Sequence, residues 1–450
     1  MSTSTVIAQL MQVEQAPQNR LKAKVTTAQT ASASYTSVNA KVAAFKSAAG
    51  ALNQLGTWRA IAATSSSSSV AVSTSTNLSA TTGSLTFDVT SLASKQATTM
   101  KVTTYVDGDG DGKLDTKPAP ISSAPDTISI TTTAGKQYDI DITADKSAAG
   151  IAKAINDSDA GVSAYVMKTS DSEGVLQITG RKSGASNGFT ITGLDGLGAN
   201  GTSPETTAAK SATIEVEGGG SSTYTVTSDT NTFTGLMNGV TLTVSKQEND
   251  VTIDVTNDTG AIADKMQAFV DAANAALTEI STQTAYDPAT KTGSPLTGDF
   301  SVRDIASKIL GSISTGLNWS EEAAGGADIT DKIKSLKNLG IELQQDGQLK
   351  FTRSEFLNAY ATNPDRVKEA GQKLGTQIEK MTTTMTTNLK SVILGRNNEI
   401  DSLNTQISNW DVRLAAKKLA LQKQYSNLEV SLGNLKNQST WLAGQLAGLG

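Results

Sequence analysis

The residues of this sequence best suited to chemistry lie in one short run, YVDGDGDGKLDTKP at 105–118. Asp107, Asp109, Asp111 and Asp115 occupy positions 1, 3, 5 and 9 of a calcium-binding loop, with Gly112 at position 6, where such loops turn sharply. Carboxylates at that spacing present hard oxygen ligands to a hard divalent cation. Position 12, which a complete loop fills with a bidentate acid, is Pro118, and the preceding ATTMKVTTYV reads as a strand where a flanking helix is needed. Calcium is therefore expected here only with a last ligand from elsewhere, such as Asp126 or a carbonyl. The same residues suit a solvated Asp/Gly turn at the tip of a β excursion. Both readings stay open, and no cofactor is required in either.

Other chemistry is thin. The 450 residues include no Cys and no His, which removes thiol nucleophiles, disulfides, Cys/His zinc sites and every imidazole base. EGGGSS at 217–222 lacks the lysine of a phosphate loop and leads into a strand. Glu321 and Glu322, beside Gly325 and Gly326, read as a solvated pair, and Trp319 as a core or interface anchor. No enzyme is expected. The formal charge of −5, with both signs interspersed, offers no cationic face to nucleic acid. No apolar run is long enough for a membrane span, and MSTSTVIAQLMQVEQAP has neither the basic start nor the apolar stretch of a cleaved signal.

The elements around the loop fall into helix, sheet and helix. After Pro17, the residues Leu21, Val25, Ala28, Tyr35, Val38, Val42, Phe45, Ala49 and Leu52 recur at steps of three, four or seven, an amphipathic helix that stops near Gly56. TSSSSSVAVSTS at 64–75 is a polar crossing into a region of period two, where GSLTFDV, TISITT, YDIDIT, TIEVEG and TYTVTS read as half-buried strands. Val240, Leu242 and Val244 are expected to pair in a hairpin with Val251, Ile253 and Val255. A helix is expected at 147–157. Gly and Pro clusters at 118–125 and 193–204 point to two β subdomains, one inserted in the other. Helical period returns from Ala261 and again at 299–313, and LGIELQQDGQLKF at 339–351 reads as a hairpin on an Asp-Gly turn.

The C-terminus carries the strongest pattern. Ile393, Ile400, Ile407, Leu414, Leu421, Leu428, Leu435, Leu442 and Leu449 stand seven apart. A second seam begins with Leu403 and Trp410 and then turns polar at Lys417, Gln424, Ser431 and Gln438, while Tyr425, Leu432 and Leu446 compensate in part on the other flank. Such a helix cannot bury itself. It packs on its own domain, or it is made to be buried by other chains together with the N-terminal stripe. On the second reading, Leu21, Val25, Val38 and Val42 with Leu414, Leu421, Leu428, Leu435 and Leu442 are the partner-facing rows.

The expected fold is α+β and multidomain: long terminal helices as a coiled-coil stalk, and a helical domain flanking an inserted β-rich head of two subdomains. The stalk takes 1–35 and 396–450, the helical domain 36–66 and 259–395, the inner β domain 67–101 and 205–258, and the outer β domain 102–204.

Three stretches together resemble the flagellar filament-cap family, also called flagellar hook-associated protein 2. VIAQLMQVEQAPQNRLKAK (6–24) is similar to the family's opening helix, with its Leu-Met-x-x-Glu core and following proline. FVDAANAALTEISTQTAYDPATKTGSPLTGDFSVRDI (269–305) is similar to its Phe-Val-x-x-x-Asn helix and Leu-x-Gly-Asp turn. LGIELQQDGQLKFTRSEFLNAYATNPDRVKEA (339–370) is similar to its closing hairpin and helix. Residues 149–193 also resemble a module shared by cap proteins and flagellins. The sequence departs from the family where Met1 to Thr5 stand in place of a Gly- and Ser-rich opening, and where Ala273 replaces a common tyrosine.

The resemblance implies a protein exported through the flagellar channel without a cleaved signal, with an export chaperone, and assembled as a ring-like homo-oligomer outside the cell at the filament tip. There its β heads form a plate, its terminal helices reach into the growing tube, and incoming flagellin folds and inserts beneath. Hook–filament junction proteins are further expected partners. Two other readings remain: a flagellin or hook-junction axial protein, and a calcium-dependent surface adhesin whose β head does the binding.

Overall fold

A computed structural model of the chain describes every residue except 1–2, 76–80, 122, 219–221, 320–331 and 448–450. Glu321, Glu322, Gly325, Gly326, Leu449 and the centre of EGGGSS therefore lie outside the described residues. The chain divides into a helical unit, Met1–Trp58 with Thr259–Gly450, and a β unit, Arg59–Asp258.

In chain order, α1 (Thr3–Glu14) and α2 (Ala16–Asn53) open the helical unit. The β unit follows with β1 (Ile61–Ser65), β2 (Val70–Thr74), β3 (Gly83–Ser91), β4 (Lys95–Thr103), β5 (Thr127–Thr132), β6 (Gln137–Asp141), α3 (Ala148–Asp157) and β7 (Val162–Lys168). It continues through β8 (Glu173–Ser183), β9 (Phe189–Thr192), β10 (Glu205–Thr207), β11 (Ala212–Glu217), β12 (Thr223–Ser228), β13 (Thr232–Thr234), β14 (Val240–Val244) and β15 (Glu248–Asn257). The helical unit then resumes with α4 (Thr259–Thr284), the short pair β16 (Tyr286–Asp287) and β17 (Thr292–Gly293), and α5 (Phe300–Ser314). It closes with the hairpin β18 (Ile341–Leu343) and β19 (Leu349–Phe351), α6 (Arg353–Thr362) and α7 (Pro364–Ala447).

In the helical unit, α2 lies against α4 and α7 and buries Val25, Ala28, Tyr35, Val38, Val42, Phe45, Ala49 and Leu52, the stripe that its sequence period describes. Phe45 meets Phe269 of α4 with ring centroids 5.1 Å apart. The α2–α7 pair runs antiparallel: Asn53 bonds Thr376 at 3.1 Å, Ser32 bonds Asn397 at 2.9 Å, and Gln18 bonds Asp411 at 2.6 Å. Close approach depends on Gly371, where a Cβ would stand 2.1 Å from the buried ring of Trp58. That ring is pinned by its Nε1–H, which donates to the Leu52 carbonyl at 2.7 Å. Among the described residues, no helix is long and apolar enough to cross a membrane.

The β unit has two cores. The inner one lies between sheet β1-β15-β3-β11-β12 and sheet β13-β14-β2 and gathers Phe87, Val89, Ile214, Phe233, Leu242 and Ile253 among others. The outer one gathers Met100, Val102, Ile128, Ile130, Leu176 and Ile178 with α3, whose N-cap Ser147 accepts the Gly150 amide. Its sheets are β10-β4-β8-β7 and β6-β5-β9.

Three expectations need correction. The rows at 240–244 and 251–255 do not pair as a hairpin: β14 pairs with β13 and β2, while β15 pairs with β1 and β3. Both rows enter the same inner core from different sheets, so alternation identified the buried face but not the strand partner. The β unit also starts before residue 67, because β1 at 61–65 forms a ladder with β15. And β4, placed up to residue 101 with the inner domain, belongs to the outer sheet, where Met100 and Val102 fill the outer core.

Candidate functional site

Of the predicted loop acids, Asp107, Asp109 and Asp111 are brought together, each with a ligand oxygen within 4.8 Å of the others, and all three are exposed. The loop is built by its own amides. Asp107 accepts from Gly110 at 2.8 Å and from Gly112 at 2.9 Å, Asp109 from Asp111 at 3.2 Å, and Asp111 from Lys113 at 2.8 Å. Gly110 and Gly112 take φ of 76° and 82°, the left-handed region that such a turn needs and that glycine enters freely. Asp115 stands outside the cluster of three and accepts from the Gly108 amide at 3.2 Å. Asp126 is engaged elsewhere, in an ion pair with Lys146 at 2.7 Å. The expected fourth and last ligands are thus not part of the group, and three carboxylates on a self-supported turn are what the loop offers a cation.

The predicted stalk rows divide differently from the expectation. Val38 and Val42 are fully buried inside the helical unit, and Val25 nearly so; they are internal core and not partner-facing. A stripe in sequence records that a face is covered, not whose chain covers it. Leu21 is half-buried. Leu414 is also internal, closed off by Ile7 and Met11 of α1, with Trp410, Leu421 and Tyr425 packed around them. Glu14 and Lys417 flank this contact at 3.3 Å, an exposed pair of small energetic value. Beyond it the described apolar side chains lie open. Leu428, Leu432, Leu435, Leu442 and Leu446 are each more than half exposed, from 52% for Leu428 to 66% for Leu446, and Trp441 is 65% exposed. Ile7 and Met11 escaped notice in the sequence; their i, i+4 spacing in VIAQLM was the available signal.

The stretches at 269–305 and 339–370 meet in space. Asn274 of α4 clamps the main chain of β19, accepting the Leu349 amide at 2.7 Å and donating to the Leu349 carbonyl at 2.8 Å. Asp299 caps α5 by accepting the Val302 amide at 3.2 Å, takes the Ser301 hydroxyl at 2.6 Å, and accepts the hydroxyl of Tyr35 on α2. Burial alone would raise the Asp299 carboxyl, but these hydrogen bonds outweigh it and hold the group below the usual carboxylate range. Burial, then Asp299, pushes the Tyr35 phenol upward, so both partners record one contact. Trp319 is half-buried, donates to the Ile333 carbonyl at 2.8 Å, and has Lys332 and Lys373 over its ring.

Comparison with known proteins gives three family matches. Residues 1–96 match the flagellar hook-associated protein 2 N-terminus, 209–437 the flagellar hook-associated protein 2 C-terminus, and 127–182 the flagellin hook IN motif. The chain is 24% identical over 350 residues to flagellar hook-associated protein 2 of Salmonella typhimurium, which covers 70% of each protein. It is 33% identical over 138 residues to that of Campylobacter jejuni, covering 30% of this chain and 21% of that one. Among solved structures, the D1-D2-D3 domains of the Escherichia coli flagellar cap protein share the fold at a TM-score of 0.58, with 23% identity, over 81% of this chain and 99% of that chain.

Proposed function

The chain belongs to the flagellar hook-associated protein 2 family, the proteins that cap the flagellar filament, and from that premise we propose that it works as an oligomeric plate retaining exported flagellin while flagellin folds and inserts. The observation that carries this reading is the bare end of α7. A head with two complete cores of its own stands in the same chain as a helix whose leucines past Tyr425 are covered by no described residue. Folding and assembly are thereby separated: the head needs no neighbour, and the helix end does. Burying such half-exposed leucines is worth roughly 1 kcal/mol each, enough to hold a subunit in place collectively and weak enough singly for a leg to release and dock again as flagellin is added. The polar positions Ser431, Gln438 and Ser439 keep the seam from locking.

Flagellin and the hook–filament junction proteins are the partners this role calls for, and an export chaperone would cover the apolar helix before secretion. The absence of Cys suits passage as an unfolded chain, since no disulfide has to form afterwards. Capping as proposed needs no ion in the 107–115 loop. The test is deletion of the gene in the parent bacterium. Flagellin is expected to appear unpolymerised in the medium with filaments short or missing, and the full-length gene supplied in trans should restore them. Normal filaments in the deletion strain would sink the proposal.

A further inference from the structure

Asparagine followed by glycine occurs three times, at 187–188, 200–201 and 238–239. Such a pair has a reaction of its own that needs no enzyme. The main-chain nitrogen of the glycine, once it has given up its proton, attacks the side-chain carbonyl carbon of the asparagine. A C–N bond closes a five-membered succinimide, and the side-chain nitrogen takes up a proton and leaves as ammonia. Water then opens the ring at either carbonyl, giving aspartate or isoaspartate, so that in sum amide and water become carboxylate and ammonium. Glycine favours the step because no Cβ shields its nitrogen. We propose that Asn238 is the site at which this chain is modified in this way, and that the fold protects Asn200 in part and Asn187 most of all. The reaction needs neither flagellin nor an assembly, so it is independent of capping.

The three pairs share a sequence and differ in what holds them. Asn187 is half-buried. Its Nδ2 donates to the Ser183 carbonyl at 2.7 Å and the Gly188 amide donates to the Ala185 carbonyl at 3.4 Å, so the leaving group and the attacking nitrogen are both engaged. Asn200 is exposed and its side chain bonds no described residue, but the Gly201 amide donates to the Gly198 carbonyl at 2.9 Å. Asn238 is exposed on the turn between β13 and β14. There neither its carboxamide nor the Gly239 amide bonds any described residue, and the turn is closed instead by the Val240 amide on the Met237 carbonyl at 3.1 Å. Attack at Asn238 therefore breaks no hydrogen bond among the described residues, at Asn200 one, and at Asn187 two. Each bond that must first be broken slows the reaction roughly two- to tenfold.

The consequence falls on the inner core. The Gly239 carbonyl takes the Ser75 amide at 2.8 Å, Val240 starts β14 opposite Thr74 of β2, and Leu236 and Met237 pack against the buried inner residues. Isoaspartate lengthens the main chain by one carbon at position 238, so the turn cannot keep its closing hydrogen bond while Val240 stays in register.

The test ages the full chain in mildly alkaline buffer and follows amide loss at each pair by peptide mapping with mass spectrometry. Water enriched in oxygen-18 restricts the count to rings opened during the ageing. In the folded chain Asn238 is expected to lose its amide about two- to tenfold faster than Asn200, and Asn187 to be slower again by a like factor. In urea the three rates should converge to within about twofold, because only the fold distinguishes them. Equal rates in the folded chain, faster loss at Asn200 or Asn187, or no loss at Asn238 while the chain in urea loses it, would overturn the assignment. Amide exchange reads the consequence: aged wild type should exchange faster at 236–240 than fresh protein, and aged Asn238→Ser should match its fresh form. The same acceleration in aged Asn238→Ser, or none in wild type that has lost the Asn238 amide, would overturn the link from this turn to the inner core.

Discussion

Removing the carboxylate of Asp299 should loosen the helical unit by more than a loop position would suggest. The side chain caps α5 through the Val302 amide and holds the hydroxyl of Tyr35, a residue only 4% exposed. Loss of an N-cap costs about 1 kcal/mol, and a buried phenol left without its acceptor costs about 1–3 kcal/mol. Together Asp299→Ala should cost roughly 2–4 kcal/mol, which lowers the melting temperature of a unit this large by roughly 5–15 °C. The assay is scanning calorimetry of wild type, Asp299→Ala, Tyr35→Phe and the double variant. Because the two side chains share one interaction, the double variant should fall short of the sum by about 1 kcal/mol or more. The sign of the pH dependence follows from the depressed carboxyl. Its contribution is complete above the unfolded value near pH 4 and fades as pH falls through the lower folded value, so wild type and Asp299→Ala should converge in acid. Strict additivity, or a shift below about 1 °C, would refute the assignment of Asp299 as the joint between α2 and α5.

Gly371→Ala drives a methyl into the pinned ring of Trp58 and should cost about 1–3 kcal/mol despite alanine's better helix propensity, read as a lower first transition in calorimetry; an unchanged or higher transition would show that the ring yields freely. In the β unit, Asp229 accepts the hydroxyls of Ser186 and Ser211, which hold its carboxyl below the usual range, and its carbonyl takes Ser183 at 2.7 Å, joining the outer subdomain to the inner. Asp229→Ala should hasten limited proteolysis near residues 92–95 and 208–212 above pH 4, and the difference from wild type should shrink as pH falls below that value; equal cleavage at neutral pH would contradict the joint. Titration with calcium should reveal one weak site on the order of 0.1–1 mM that Asp109→Ala removes, whereas no heat at millimolar calcium would reduce 107–115 to a turn.

The division into helix, sheet and helix could be read from period alone, and the hairpin at 339–351 and the helix at 148–157 fall where composition puts them. Pairing could not be read. The strands at 240–244 and 248–257 alternate as hairpin arms do, yet they join different sheets, because alternation reports which side is dry and a sandwich dries one side of every strand. The same limit affected Val38 and Val42: a helical stripe looks alike whether an intramolecular α4 and α7 or another subunit covers it. Leu428, Leu435 and Leu442 stayed exposed while Leu414 did not, and that difference depends on how far α1 reaches along α7. The Tyr35–Asp299 contact joins residues 264 positions apart. Neither half was read from the sequence; the signal available for one of them was Asp299 after Gly298 and ahead of a helical pattern, a favoured N-cap position.

Where the protein sits on the filament tests capping most directly. Intact flagella from the parent bacterium are labelled with gold-conjugated antibody raised against the β unit and viewed by electron microscopy. Label confined to the distal tip of each filament is the expected result; label along the shaft, or only where filament meets hook, would contradict a cap and make the chain an axial or junction protein.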